Sequence, residues 1–593
     1  MERIVMKRLI TYIFTLAVLA SCSFLDPLPN GKITDENYLQ YATVIKGYIF
    51  KAYNNLPNSY YSEEYVGLDF SSDDVVSTVE DDPMRQFSIG NAQMSTYALS
   101  DMWTRDYESI NYVNLFLEDD LGKNTRYIVN KEDNARLQNY LQGDAYGLRA
   151  WYLYDLLKMF GGKDARGNLL GVPMFTSPVD LNNFDAESVV RPSYDDCVKQ
   201  IISDCDNALK YLPEANRDFV VAPTAAGIDG AARYRGLDQI AIKALKARVY
   251  LTWASPAFNP SNDKSRWENA AKCAAEVMAY KLNVEGARSN GFNPVNAFYF
   301  TNHNDPEVIW TSNWVSHPFE TAFYPLGFGG TASVNPSQEF VNAFGDSQGY
   351  PINHARSNYD ATKPYENRDP RFYANIYTNN SKVLRGGDAS DVMYTFEIAE
   401  DGKDAPGLVN TSKTGYNAKK YIFNLWNPND KTIQSSDVSI FFLRWTQMCL
   451  TFAEAANHVV GPTASLSGFS AKEALAYIRN RNTQDGNPGV GVNGDPYLEE
   501  CAAAGEKTFD ALVKNEWRIE TFLEGNRFWD LRRWGATASE LSAPVSGVRI
   551  SGSKYSVQEI ERKSYASPWM PIPYLEIRKC PGIVQNAGWE SWK

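Results

Sequence analysis

Residues 137–162 read LQNYLQGDAYGLRAWYLYDLLKMFGG. Leu137, Leu141, Leu148, Tyr152 and Leu156 recur at steps of four and seven, so they share one face of a helix. Gly161-Gly162 stops it. Outward from there, Trp103, Tyr107, Ile110, Val113 and Leu117 make a second apolar stripe. Thr34-Asp35-Glu36-Asn37 starts a helix running to about residue 54. Downstream, Ser193 caps a helix through Cys197, Ile201, Cys205 and Leu209 to Pro213. Stretches 240–251 and 267–280 continue the pattern, the latter alternating Ala with larger apolar residues. Helical period returns at 443–458, 471–481 and 509–534.

The chain therefore reads as mainly α. Paired helices with Ala at the crossings resemble tetratricopeptide repeats, although the strict 34-residue signature is not legible. The scaffold covers about 33–282 and 440–535. Between them, residues 283 to about 440 are rich in Gly, Pro, Asn and Asp and lose periodicity, which predicts loops, short helices and minor strands. Residues 536–593 form a closing segment, and the whole of 22–593 reads as one body.

The first 21 residues read as a leader. Arg3, Lys7 and Arg8 precede an apolar run from Leu9 to Leu19, which is shorter than the ~20 residues of a membrane span. Leu19-Ala20-Ser21-Cys22 resembles a lipoprotein cleavage site, with Cys22 as the acylated N-terminus. No later apolar run is long enough to span.

Composition narrows the function. A net charge of −13 argues against nucleic acid, which needs a basic surface. Aromatics make up 13% of the chain, enough to fill a core and leave flat binding faces. Four His without metal-ligand spacing argue against zinc. Gly386-Gly387-Asp388 and Asp401-Gly402-Lys403-Asp404 read as turns that do not fit calcium-loop spacing, so neither metal nor cofactor is implied. Cys197 and Cys205, eight apart on one helix, lie ~12 Å apart, too far for a disulfide. They and Cys273, Cys449, Cys501 and Cys580 read as isolated thiols.

Nothing points to catalysis. GxSxG and P-loop patterns are absent, and the GxGxxG at 489–494 follows loop residues rather than a strand. Glu516, Glu520 and Glu524 share one helical face. Arg518, Arg527, Arg532 and Arg533 lie close in sequence, so ion pairing is the expected role. Arg368-Asp369-Pro370-Arg371 reads as a charged corner locking a loop to the helices, and Glu454 as one satisfied carboxylate.

Five segments in order resemble the SusD/RagB family of Bacteroidetes-type bacteria. These are Cys22-Ser23-Phe24-Leu25-Asp26-Pro27, the helix from Gly143 to Gly162, and Asn335-Pro336-Ser337-Gln338-Glu339-Phe340 with Tyr365-Glu366-Asn367-Arg368-Asp369-Pro370-Arg371-Phe372. The others are Phe442-Leu443-Arg444-Trp445 with Phe452-Ala453-Glu454-Ala455, and the run from Asn515 to Gly535. Ala587 and Trp589 depart from the family's frequent Pro and Tyr. The resemblance implies a surface-exposed outer-membrane lipoprotein held by its lipid anchor. It also implies a non-catalytic role: capturing oligosaccharide for a TonB-dependent, SusC-like transporter. Two alternatives stand: the same fold binding peptides, and an enzyme degrading glycans.

The aromatic-dense segment 298–328 supplies the first candidate site. It contains Tyr299, Trp310, Trp314, Phe319, Phe323, Tyr324 and Phe328, with Asn302, Asn304 and Asn313 among them. Sugar rings lie on aromatic faces while amides bond their hydroxyls. Trp310 fits either core or ligand; Trp314, Phe319, Tyr324 and Asn313 are the ligand candidates. A second rim, 69–97, offers Asp73, Asp74, Arg85, Asn91 and Tyr97. The resemblance implies that ligand lies between such an N-terminal loop and the central loops.

Overall fold

Helices α1 (Tyr38–Asn54) and α2 (Ser100–Leu117) lead into α3 (Lys131–Phe160). Asn130 caps α3 by accepting from the backbone N–H of Glu132 and Asp133, and Gly161 ends it. Two glycines inside α3 mark close approaches. A Cβ on Gly143 would sit 2.6 Å from Leu212, and one on Gly147 would sit 2.6 Å from Leu237 and 2.8 Å from Ile242. This is a computed structural model. It describes residues 38–57, 66–91, 93–94, 97, 99–180, 182–216, 236–284, 305–312, 315–317, 319–384, 390, 392–422, 426–427, 432–433, 436–480, 490 and 494–592. The leader, Cys22, the 34–37 helix start, the 386–388 turn and most of the 489–494 loop lie outside them.

Next come α4 (Tyr194–Leu209), α5 (Gln239–Ala254) and α6 (Lys264–Asn283), each capped by a side chain: Ser193, Asp238 and Asp263. After the loop-rich portion follow α7 (Trp445–Val460), α8 (Ala471–Arg479), α9 (Glu506–Glu520) and α10 (Asn526–Arg533). Each of α1 to α6 packs on the next, α6 packs on α7, and α7 on α8 and α9. At the α5–α6 crossing, Ala244 and Ala247 face a helix carrying Ala270, Ala271 and Ala274, all fully buried. Small side chains let the backbones close up. The larger ones around them, such as Leu245 and Met278, each contribute ~1.5–3 kcal/mol by leaving water.

Two expectations are corrected. The helix read over 509–534 is two helices, because Leu523 (φ 61°) and Gly525 (φ 70°) turn left-handed between them. Glu524 therefore leaves the face that Glu516 and Glu520 share. The helix expected from 443 starts at Trp445, and Leu443 belongs to a strand.

Six strands matter here: β1 (Val75–Ser77), β2 (Val308–Thr311), β3 (Val334–Pro336), β4 (Phe441–Arg444), β5 (Pro544–Ser551) and β6 (Lys554–Arg562). They pair antiparallel as β1–β3, β2–β4 and β5–β6. The β5–β6 hairpin, turning at Gly552 (φ 59°), lies in the closing segment.

Charged side chains bind these parts together, with partners other than those expected. Glu516 and Glu520 accept from Arg371 at 2.6 and 2.7 Å, and Arg479 also donates to Glu516. Glu524 pairs with Arg444 and Lys420. Arg518 and Arg527 instead reach Asp73, at 3.0 and 2.8 Å. Arg533 holds Glu454 at 2.6 Å, which satisfies that carboxylate. Arg368 donates to the carbonyls of Val341, Phe344 and Pro364, so the expected charged corner is present.

Candidate functional site

The 69–97 rim and the central loops meet through β1–β3, in register Val75↔Pro336, Val76↔Asn335 and Ser77↔Val334. The contact continues beyond the strands. Thr78 N–H donates to Ser333 O at 3.3 Å, and the Thr78 hydroxyl donates to Thr331 O. Asp82 caps the short helix Pro83–Ser88 and so places Arg85. Arg85 donates to Glu561 on β6 and to Glu80, each at 2.6 Å, and Glu80 also receives Lys413. These two bonds, Lys413 foremost, hold the Glu80 carboxyl down at about 2.

The sequence-derived candidates divide. Asn313 and Trp314 lie outside the described residues, as do Tyr299, Asn302 and Asn304. Phe319 opens the turn Phe319–Ala322. Tyr324 is a correction: it is fully buried and stacks on Phe328 with ring centres 4.8 Å apart, so its face is closed. The apolar residues of its own loop outcompete solvent for the ring. Tyr97 is likewise enclosed, between Phe87 and Trp592. Burial pushes its hydroxyl well above the ordinary range. Trp310 is core, set edge-on to Trp151 at 4.8 Å and against Phe442.

Asp73 is committed to a clamp. It and the buried Asp74 share Arg518 and Arg527. Against the cost of burial, the two guanidiniums hold Asp73 well below the usual carboxylate range; burial raises Asp74. Arg85 is held by its two glutamates. Of the rim candidates, Asn91 is exposed, with its amide donating to Gln86.

The exposed surface beside this rim comes from residues the sequence did not mark. Turn 325–330, strand Val392–Thr395 and loop 404–411 lie together. Asn410 donates to Gly330 O, Tyr394 sets its edge on Phe328 at 4.6 Å, and Tyr394 donates to Asp404. Leu326, Leu408 and Val409 stand 55%, 52% and 75% exposed. They sit beside Pro and Gly without periodicity, so no pattern singles them out. Between the helices and the closing segment, a cavity of about 400 Å³ is walled by Trp103, Tyr107, Phe175 and Phe184, with Asn111 and Lys579 among its polar residues.

Among the described residues no group of three or more His, Cys, Asp or Glu is placed to hold a metal ion. No helix among them is long and apolar enough to cross a membrane.

Comparison with known proteins places the chain in a family. The SusD family model matches residues 285–589, and a model described as starch-binding, associating with the outer membrane, matches 23–232. A SusD-like protein of Formosa agariphila is 24% identical over 550 residues, covering 90% of this chain and 92% of that one. A SusD-like protein of Bacteroides fragilis superposes with TM-score 0.68 at 23% identity, covering 95% of this chain and 100% of that one. A SusD-like carbohydrate-binding protein of the same species superposes with TM-score 0.68 at 17% identity, covering 92% and 99%. The fold is thus shared with these structures over nearly the whole chain, and the chain belongs to the SusD family.

Proposed function

We propose that this protein is a non-catalytic, glycan-capturing lipoprotein of the outer-membrane surface. It holds an oligosaccharide at the loop face and passes it to a TonB-dependent, SusC-like transporter. The observation that supports this most is membership of a family whose second matched model describes starch-binding proteins associating with the outer membrane. The joining of the 69–97 rim to the central loops through β1–β3 supports a ligand seat between them. Trp314, Asn313 and Phe319 are the proposed ligand contacts, with Asn91 at the edge.

Carboxylates that would serve a glycosidase need one acid and one base free to act. Glu454, Glu516, Glu520 and Glu524 are all held by cations. A glycan array beside a peptide panel tests the ligand class, and incubation with the best glycan tests for new reducing ends. Binding to glycans without new reducing ends is the expected result. Binding confined to peptides, or steady release of reducing ends, would overturn the reading.

A further inference from the structure

Two small cavities meet where α3, α5 and α10 come together beside β4. One, of about 70 Å³, is lined by Trp151, Arg248, Gln447 and Trp529 among others. The second, of about 30 Å³, shares Arg248 and Trp529 and adds Arg532. Trp151, Gln447 and Arg532 are 7%, 3% and 5% exposed. Trp151 Nε1, Gln447 Oε1, Arg248 Nη1, and Nε and Nη2 of Arg532 reach no hydrogen-bond partner among the described residues. Leaving so many buried polar atoms unmatched in one place is costly.

The arginines are the telling part. Arg371, Arg444, Arg479 and Arg533 are buried and each grips a carboxylate, while buried Arg191 and Arg368 spend their N–H groups on backbone carbonyls. Among the described residues, half-buried Arg248 and buried Arg532 grip no carboxylate and leave N–H groups without an acceptor. Arg248 donates Nη2 to Asn526 and lies over Trp517; Arg532 donates Nη1 to Phe528 O and lies over the Phe528 ring. Every acid lining the cavities is already engaged: Asp155 by Lys158, Glu524 by Arg444 and Asp530 by Arg533. The site therefore has donors and positive charge in surplus, and what it is short of is an anionic acceptor.

We propose that this paired cavity binds a small carboxylate. Its oxygens accept from Arg248 Nη1 and Trp151 Nε1, and a nearby hydroxyl donates to Gln447 Oε1: the one on the adjacent carbon of a free hydroxy acid, or the 4-hydroxyl of a uronic acid, whose adjacent carbon carries the ring oxygen. The volume admits a carboxylate with one or two carbons and excludes a whole sugar ring. Such a ring rests at the mouth, on half-buried Trp529. The carboxylate comes either from a free hydroxy acid or from the acidic end of a sugar. The second source rests on the glycan reading above; the first does not.

Fluorine NMR of the fluorotryptophan-labelled full mature chain tests this, with Trp151 and Trp529 assigned through W151F and W529F. The probes are glycolate, acetate, glucuronate and glucose. Glycolate and glucuronate are expected to shift the Trp151 signal saturably, with glucose weaker by at least about tenfold, because a charge-assisted bond is lost. R248Q, checked for an unchanged melt, is expected to weaken glycolate by a similar factor. If R248Q does not fold, Q447L replaces it; losing the hydroxyl's acceptor should then weaken glycolate while sparing acetate. Three results would overturn the proposal: no saturable shift with glycolate or glucuronate, which means water alone fills the site; an equal response to glucose; or undiminished binding in the folded variant. Saturable glycolate binding in a protein that binds no glycan would sink the glycan reading and leave the cavity standing.

Discussion

Arg371 concentrates more of the buried charge than any partner it holds. The residue is 1% exposed, and its guanidinium lies 2.6–2.7 Å from carboxylate oxygens of Asp369, Glu516 and Glu520. Stripping one partner from a buried ion pair typically costs ~3–5 kcal/mol, because the other charge stays behind unpaired. Arg371→Leu is expected to lose at least that much in urea denaturation, and Arg371→Lys to fall between, since an ammonium cannot fork across three acids. Wild-type stability in Arg371→Leu would mean that the acids are carried by Arg479 and their neighbours alone. The sequence reading saw that Glu516 and Glu520 needed cations and named the wrong ones. The true partner lies 145 and 149 residues upstream, a pairing that no local spacing encodes. Tyr324 failed for the opposite reason: aromatic density marks a platform and a core alike, and only the fold closed this ring. Trp314 remains the proposed stacking residue. Trp314→Ala is expected to weaken glycan binding by ~1 kcal/mol or more, several-fold in calorimetry, at an unchanged melting temperature. A collapsed melt with unchanged affinity would place Trp314 in the core.

The helices were legible because their signal is local. Stripes at 103–117 and 137–156, the cap at Ser193 and the stop at Gly161 all act within a few residues of themselves. Of the strands, the stretch 305–310 resembles a strand of the family and holds most of β2, but the pairing was not legible, since β1 and β3 meet across some 260 residues and each is three residues long. Gly147 tests the element scale. A methyl there would press on the Cδ atoms of Leu237 and Ile242, which are the movable ends of their side chains. Gly147→Ala also gains ~1 kcal/mol of helix propensity, so it is expected to be near neutral. Gly147→Val cannot be absorbed that way and should cost ~1–3 kcal/mol by overpacking. Thermal melts of both variants separate these outcomes. Equal melts would show that α3 and α5 do not depend on this close approach. His458 links α7 to α9, with Nδ1 3.1 Å from Glu506 and Nε2 3.3 Å from Asp510. Burial opposes its charge, but the bond and charge of Asp510 prevail, and its pKa lies above the ordinary value. A raised pKa adds stability that is complete below the unfolded value, ~6.5, and is lost as pH rises through the folded one. His458→Gln should therefore flatten the melting temperature across that window. A slope as steep as wild type would assign the pH dependence to another group.

At the scale of the whole molecule, two independent attachments are proposed: a lipid on Cys22 and a transporter beneath the body. They make different predictions. No helix among the described residues can cross a membrane, so the body has no membrane-spanning helix there to substitute for the lipid. Stable anchoring needs more than one acyl chain, because a single chain binds reversibly. Cys22→Ala removes the acceptor for all of them. In a host lacking the transporter, Cys22→Ala is expected to leave the outer-membrane fraction after a high-salt wash, while the wild type stays. In the native host the same variant should remain in part, held by an interface that must bury on the order of 1,000 Å² or more to survive mild detergent. Pull-down of the tagged variant should then recover one large outer-membrane barrel. Retention of Cys22→Ala without the transporter would refute the lipid anchor. Complete release in the native host, with no barrel recovered, would leave the lipid as the sole tether and refute the transporter partnership. The two proposals thus fail separately, because a thioether-linked lipid and a protein interface respond to different deletions.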